Sequence, residues 1–349
     1  MSENFRHKIQ RLELENFTCF AKAEMGFSSG INVFIGENGT GKTHVLKVLY
    51  ALGSAVSKID IKPNSAKKEI SDAHFNPYNF IQDFAATFGT DVWLDIIRDN
   101  EKKKTSFIGK FENDLNFGLQ FENDELSSIV LTIADTISVQ KPLYLPPYEM
   151  LSMIRSFIAD KTYFDLITAL NSKKNGTDND ILKGLQKLIN IEVSKENDIF
   201  YIKHGKDIKT KAQLAANGIN KIGQLIPLIQ NGWLTKNTIL FWDEPEVNLN
   251  PRYIKIVAKF LQTLAKIGVQ IFVATHDYLL AHLLSLDAEY QEETTAPPMK
   301  FFSFYKTQEG TEIEAAATIA GLQHNALLDE YAAYYDLEQT LFRKSMQNV

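Results

Sequence analysis

Gly36-Glu37-Asn38-Gly39-Thr40-Gly41-Lys42-Thr43 is the stretch on which the reading of this chain turns. It fits G-x-x-x-x-G-K-[ST], a spacing that lets successive backbone N–H groups curl around a phosphate. Ile31-Asn32-Val33-Phe34-Ile35 before it reads as a short buried strand, and Lys42 to Ala55 after it reads as a helix. Strand, glycine-rich turn and helix in that order bring the positive end of a helix to the loop, which makes an anion site. Lys42 has the reach for β- and γ-phosphates, and the Thr43 hydroxyl suits Mg²⁺. With His44 next on the same turn, the candidate nucleotide-binding residues are Gly36, Glu37, Asn38, Gly39, Thr40, Gly41, Lys42, Thr43 and His44.

Two distant stretches supply the chemistry that such a loop lacks. Thr238 to Trp242 is a fully apolar strand that delivers Asp243-Glu244-Pro245-Glu246 at its carboxyl end, where α/β folds place ligands. Asp243 suits the Mg²⁺ shell, and Glu244 is placed to polarise the water that attacks a γ-phosphate. Val269 to Ala274 is the next apolar strand, ending in Thr275-His276-Asp277. A histidine at that point can bond the γ-phosphate or the water. Glu244 and His276 are therefore the candidate catalytic residues.

The 349 residues hold one large or two ordinary domains. Apolar residues make up 44% and charged residues 23%, the balance of a globular chain with a full-sized core. No apolar run approaches the roughly 20 residues of a membrane span, and Met1 to Arg6 has no apolar signal core. The single cysteine, Cys19, leaves no internal disulfide and no cysteine-based metal cluster, so a cytoplasmic location is expected. A net charge of −6 gives no overall attraction to nucleic acid. Lysines do cluster at Lys62, Lys67 and Lys68, at Lys102 to Lys104, and at Lys203, Lys206, Lys209 and Lys211. They read first as solvated loops, with local nucleic-acid contact left open.

Along the chain, Lys8 to Leu14 alternates like a strand, Asn16 begins a turn, and Phe20 to Phe27 closes a hairpin. Ser57 to Pro77 has the composition of a surface connection, and Tyr78 to Phe88 that of a short helix. Ser106 to Val139 alternates as a small antiparallel sheet, and Leu143 to Leu145 is a strand stopped by Pro146-Pro147. Glu149 to Leu170 reads as a helix or two, Asp178 to Ile191 as another, and Ile199 to Ile202 as a strand. Ile219 to Ile229 and Tyr253 to Ile267 are helical, and the latter joins the two apolar strands into a parallel βαβ unit. A hairpin about Glu309-Gly310 and a helix from Gln323 to Met346 close the chain.

The phosphate loop, Asp243-Glu244-Pro245-Glu246 and Ala274-Thr275-His276 together resemble the ABC-type ATPases, in the soluble SMC, RecF and OLD-like branch. Leu214-Ala215-Ala216-Asn217-Gly218 stands where that family carries its Leu-Ser-Gly-Gly signature, and Glu246 to Pro251 resembles its D-loop. The resemblance implies an α/β P-loop NTPase head of ABC type, a mixed sheet with an N-terminal antiparallel β lobe, carrying a mixed helical and β insert. It divides the chain into residues 1–58, 59–199 and 200–349. ATP and Mg²⁺ are the implied cofactors, with Asn217 and Gly218 facing the nucleotide of a partner copy. Thr43, Asp243 and Gln140 are the implied metal ligands. Dimerisation through composite ATP sites, slow hydrolysis and no membrane are expected. So is a separate effector protein, in a two-gene system of the antiviral defence type. The alternative is an ATPase of repair or replication that clamps DNA. Ala216 departs from the family serine, so a hydroxyl that would meet the γ-phosphate is missing.

Overall fold

The computed structural model describes residues 8–58, 76–98, 104–123, 125–132, 141–152, 160–173, 179–206, 208–290 and 296–347. In chain order, β1 (Ile9–Phe17), β2 (Phe20–Gly26) and β3 (Ile31–Gly36) lead into α1 (Lys42–Lys58) and α2 (Pro77–Thr87). There follow β4 (Lys104–Phe111), β5 (Asn116–Glu122), β6 (Glu125–Thr132), β7 (Lys141–Leu145), α3 (Lys161–Asn171) and α4 (Asn179–Leu188). Next come β8 (Ile191–Glu196), β9 (Ile199–His204), β10 (Thr210–Lys211), α5 (Asn217–Gly223) and α6 (Leu225–Gln230). The last part holds β11 (Thr238–Asp243), α7 (Pro251–Lys266), β12 (Gln270–Ala274), α8 (Tyr278–Tyr290), β13 (Met299–Thr307), β14 (Gly310–Ala316) and α9 (Ala326–Gln347).

A six-stranded mixed sheet, ordered β14-β13-β3-β12-β11-β7, forms the centre. All its pairings are parallel except the β13–β14 hairpin. Its inner strands have no polar face because both sides are covered. The period of two still sorts them. Val33, Leu240, Trp242, Ile271 and Val273 point into one core with α7 and α8. Phe34, Ile239, Phe241, Phe272 and Phe304 point into a second core with α1 and the N-terminal lobe. Aromatic rings fill this second core, with Phe241 stacked on Phe272 at 5.1 Å and Phe34 edge-on to Phe302 at 5.4 Å.

The N-terminal lobe is larger than a hairpin. Strands β4, β5 and β6 pair onto it in the order β2-β1-β4-β5-β6, with Leu14 opposite Phe107. Strand β7 joins the central sheet beside β11. Sheet pairing thus runs across residues 58 and 199: β4 to β6 extend the N-terminal sheet, β7 the central one, and β8 belongs to a third sheet ordered β10-β9-β8. Strand β1 also runs past Asn16, whose backbone takes φ +51 and whose amide bonds the buried Thr105 hydroxyl at 3.1 Å.

Other expectations shift locally. Of Glu149 to Leu170, residues 149–152 form bends and turn, 153–159 lie outside the described residues, and α3 starts at Lys161 capped by Asp160. The helix read to Ile191 ends at Leu188, and Ile191 opens β8, hairpinned to β9 through Asn197 and Asp198 at positive φ. Ile219 to Ile229 is two helices meeting at Gln224. Proline at 227 lacks an N–H for the bond that a continuous helix needs there. Among the described residues no helix is long and apolar enough to cross a membrane.

Candidate functional site

Site geometry follows from where the parallel strands end. Strands β3, β11 and β12 lie side by side, so Gly36, Asp243 and Ala274 finish at one edge of the sheet. Three glycines shape the loop between β3 and α1, at φ +137 for Gly36, +73 for Gly39 and +91 for Gly41. Gly36 has no room for a side chain, since a Cβ there would sit 2.2 Å from the Phe304 carbonyl oxygen of β13. Gly36→Ala is expected to lower stability by about 2–3 kcal/mol through that overlap and the positive φ. Gly268→Ala, at φ +102 with nothing within 4 Å, is the control for positive φ alone. Equal shifts in the urea midpoints of the two variants would refute the steric argument.

The loop's one cation is folded inward. Lys42 is buried, and its Nζ donates to the carbonyls of Gly36 at 2.9 Å and Glu37 at 2.7 Å. Burial lowers its pKa to about 8, against the pull of Asp243 and Glu244. An ammonium held by neutral oxygens, beside a loop of positive-φ glycines, fits a phosphate anion. Across the loop, the Thr43 hydroxyl bonds both carboxylate oxygens of Asp243, at 2.9 and 3.2 Å. A hydroxyl and a carboxylate in contact form an oxygen donor set of the kind that Mg²⁺ takes. Burial raises the Asp243 carboxyl to about 6, opposed by the bonds from Thr43 and from the Tyr144 hydroxyl, the latter at 3.2 Å.

Glu244 follows in a left-handed turn, at φ +44, with its N–H on the Ala274 carbonyl at 2.9 Å. Its carboxylate lies 3.6 Å from His276 Nε2. Burial, then the Lys42 charge, lowers the His276 pKa, so the ring stays neutral near pH 7. The Glu246 carboxylate accepts the His276 N–H at 2.9 Å, and Asp277 caps α8 through the Leu280 N–H at 2.6 Å. Asn38, Gly39, Gly41, Lys42, Thr43, His44, Asp243, Glu244 and His276 line one cleft of about 220 Å³.

A sequence profile described as "AAA domain, putative AbiEii toxin, Type IV TA system" matches residues 31–281, more than half of the chain. The chain belongs to this AAA family. Curated relatives match in shorter pieces. The DNA replication and repair protein RecF of Shouchella clausii is 32% identical over 102 residues, 29% of this chain and 26% of that protein. RecF of Streptococcus suis (strain 05ZYH33) is 43% identical over 44 residues, 13% of this chain and 12% of that one. The chain therefore spans about a quarter or less of the curated relatives it matches. The SMC head domain from Thermotoga maritima superposes with a TM-score of 0.51 at 13% identity, covering 89% of this chain and 99% of that one. The Smc head with an extended coiled coil bound to the C-terminal domain of ScpA, derived from Pyrococcus furiosus, gives 0.54 at 12%, covering 95% and 100%. The fold is that of the SMC head, a mixed α/β P-loop fold with an antiparallel N-terminal sheet.

Within this AAA family member, Asn217 and Gly218 stand apart from the cleft. Gly218 packs on the turn at Asn248 and Leu249 of its own chain, where a Cβ would meet the Asn248 carbonyl oxygen at 2.5 Å. Asn217 is exposed beside it. Gln140, the third proposed metal ligand, lies outside the described residues. So do Lys62, Lys67, Lys68, Lys102 and Lys103. Lys203 pairs with Glu192 at 3.6 Å, and Lys209 pairs with Glu196 and covers the Tyr201 ring. Those two charges are spent within the hairpin.

His44, expected among the nucleotide-binding residues, lines the cleft but turns its ring against Phe88 at 5.7 Å, with Nδ1 buried and unbonded. Three contributions escaped the sequence reading. Tyr144 bonds Asp243 because the β7–β11 register sets it opposite Phe241, and no local pattern announces that. Cys19 and Phe20, at the β1–β2 turn, leave no room for a Cβ on Gly41. The third, Lys221, lies buried on α5 under the Glu244 turn.

Proposed function

We propose that this chain binds ATP with Mg²⁺, pairs head to tail with a second copy across two composite sites, hydrolyses slowly, and serves as the sensing component of a larger, two-gene system of the defence type. The observation that carries the reading is the convergence of Lys42, the Thr43–Asp243 pair, Glu244 and His276 on one cleft from three adjacent strand ends. In it Gly36 to Thr43 would cradle the phosphates, and Thr43 and Asp243 would hold Mg²⁺, which neutralises phosphate charge when bound. Glu244 would take the proton of the attacking water, with His276 beside it. Asn217 and Gly218, outside the cleft of their own chain, would meet the nucleotide of the partner copy. A separate effector protein finds support in α9, where Leu328, Tyr331, Tyr334, Tyr335, Leu341 and Phe342 stand exposed along one helix.

Phosphate release and light scattering on the purified chain test this reading. ATP with Mg²⁺ is expected to double the mass and to give turnover of order 1 s⁻¹ or slower, at the low end of enzymes generally. A monomer that neither assembles nor releases phosphate would overturn it. The match to RecF proteins favours a second reading, an ATPase that clamps DNA. In that case duplex DNA raises turnover, and the gain fades as salt rises. Turnover indifferent to DNA at low salt leaves the first reading standing alone.

A further inference from the structure

Lys221 has no part in the chemistry described so far, yet it is one of the largest fully buried side chains. It sits on α5, one turn after Asn217 and Gly218, and reaches under the turn that follows β11. Its Nζ donates to the carbonyls of Pro147 at 2.7 Å, Glu244 at 2.5 Å and Val247 at 3.4 Å. Three donors meet three acceptors, all of them backbone. A buried ammonium is costly, and an apolar side chain of like volume would fill the same space at lower cost. What the ammonium adds is direction.

The turn it holds needs holding. Glu244 is a non-glycine residue at φ +44 and Asn248 another at φ +65, strained conformations that persist only where the surroundings impose them. The Glu244 carbonyl has one bond from within the turn, from the Val247 N–H at 3.2 Å. Lys221 provides the second, and through the Val247 carbonyl it grips the other end of the same turn. Gly218 closes the contact by packing on Asn248. Helix α5 and residues 244–248 are thereby fixed to each other at both ends.

We propose that Lys221 is a positioning residue for hydrolysis, its ammonium holding the Glu244 backbone in the left-handed turn that aims the carboxylate into the nucleotide cleft. This rests on the ATPase reading of the site. Binding should not depend on Lys221, because Lys42, Thr43 and Asp243 hang from other elements. The rate of the step that needs Glu244 should depend on it.

The test uses the full chain with mant-ATP and Mg²⁺ for affinity and phosphate release for turnover. Lys221→Met is expected to leave the mant-ATP Kd within about threefold of wild type and to lower kcat about tenfold or more, the scale for misplacing a catalytic group. Joined to Glu244→Gln, it should slow turnover no further, since both changes act on one step. If Lys221→Met does not fold, Lys221→Gln, which keeps two donors without the charge, is measured in its place against the same criteria. Unchanged kcat, a Kd that rises in step with the loss of kcat, or an additive double variant each overturns the proposal. Wild-type chain that binds mant-ATP without turnover overturns the ATPase reading and this proposal with it. Wild-type turnover matched by Lys221→Met overturns this proposal alone.

Discussion

Glu244→Gln is expected to bind ATP with Mg²⁺ as the wild type does and to hydrolyse it about 10²-fold more slowly or worse, the scale for losing a general base. Glutamine has the same shape, so the left-handed turn at φ +44 and the approach to His276 are kept. Its amide cannot take a proton from water. Affinity should survive, because the groups proposed to meet phosphate and metal are Lys42, Thr43 and Asp243, none of them altered. The ATP-bound state then accumulates, and in a composite-site dimer that state is the assembled one. Light scattering should show the variant shifting to twice its mass with ATP and Mg²⁺.

A second substitution separates assembly from slow chemistry. Gly218 is unsuited to this, since a side chain there would strike the Asn248 carbonyl of its own chain. Asn217 is exposed, so in the proposed dimer Asn217→Asp would set a carboxylate against the partner's γ-phosphate without disturbing the turn at Asn248. Added to Glu244→Gln, it should abolish the ATP-driven shift. Normal hydrolysis in the single variant, or persistent assembly in the double, would refute the composite site.

The phosphate loop, the two acidic residues after β11 and His276 were legible because each sits at the end of a short apolar run, and strand ends are local features. What the sequence could not show is lateral pairing. Alternation in Phe107 to Phe121 announces strands but not that β4 lies against β1, so the lobe looked like a hairpin with a separate sheet inserted later. Register hides residues in the same way: Tyr144 reaches Asp243 only because β7 lies parallel to β11 at that offset. Nothing in the local sequence sets Lys221 apart from the other lysines of the chain. Its burial follows from the packing of α5 under the 244–248 turn, a contact between segments 23 positions apart that no periodicity encodes. The helix read to Ile191 failed for a smaller reason. Ile181 and Leu185 hold a helical stripe, and the apolar residues Leu188, Ile189 and Ile191 let the helical reading run on. The spacing of two from Ile189 to Ile191 is already that of the strand β8.

Lys42→Ala should abolish nucleotide binding and leave the fold standing. Without phosphate, the ammonium serves only its own loop, bonding the Gly36 and Glu37 carbonyls and approaching the Thr40 hydroxyl at 3.5 Å. Losing such bonds costs about 1 kcal/mol each. Removing a charge that burial already disfavours, as its lowered pKa records, returns part of that cost. The remaining deficit should move the melting point of the nucleotide-free chain by no more than about 4 °C for a domain of this size. Phosphate binding has no such compensation, because Lys42 is the cation that the loop itself supplies. At an ATP concentration one hundred times the wild-type Kd, linkage stabilises the wild type by about 2.7 kcal/mol, a plain upward shift in Tm. The variant should show none of it. An ATP-induced shift of wild-type size in Lys42→Ala would remove Lys42 from the phosphate site. A nucleotide-free variant with no cooperative transition would mean that the lysine holds the core together, and that its inward bonds are structural.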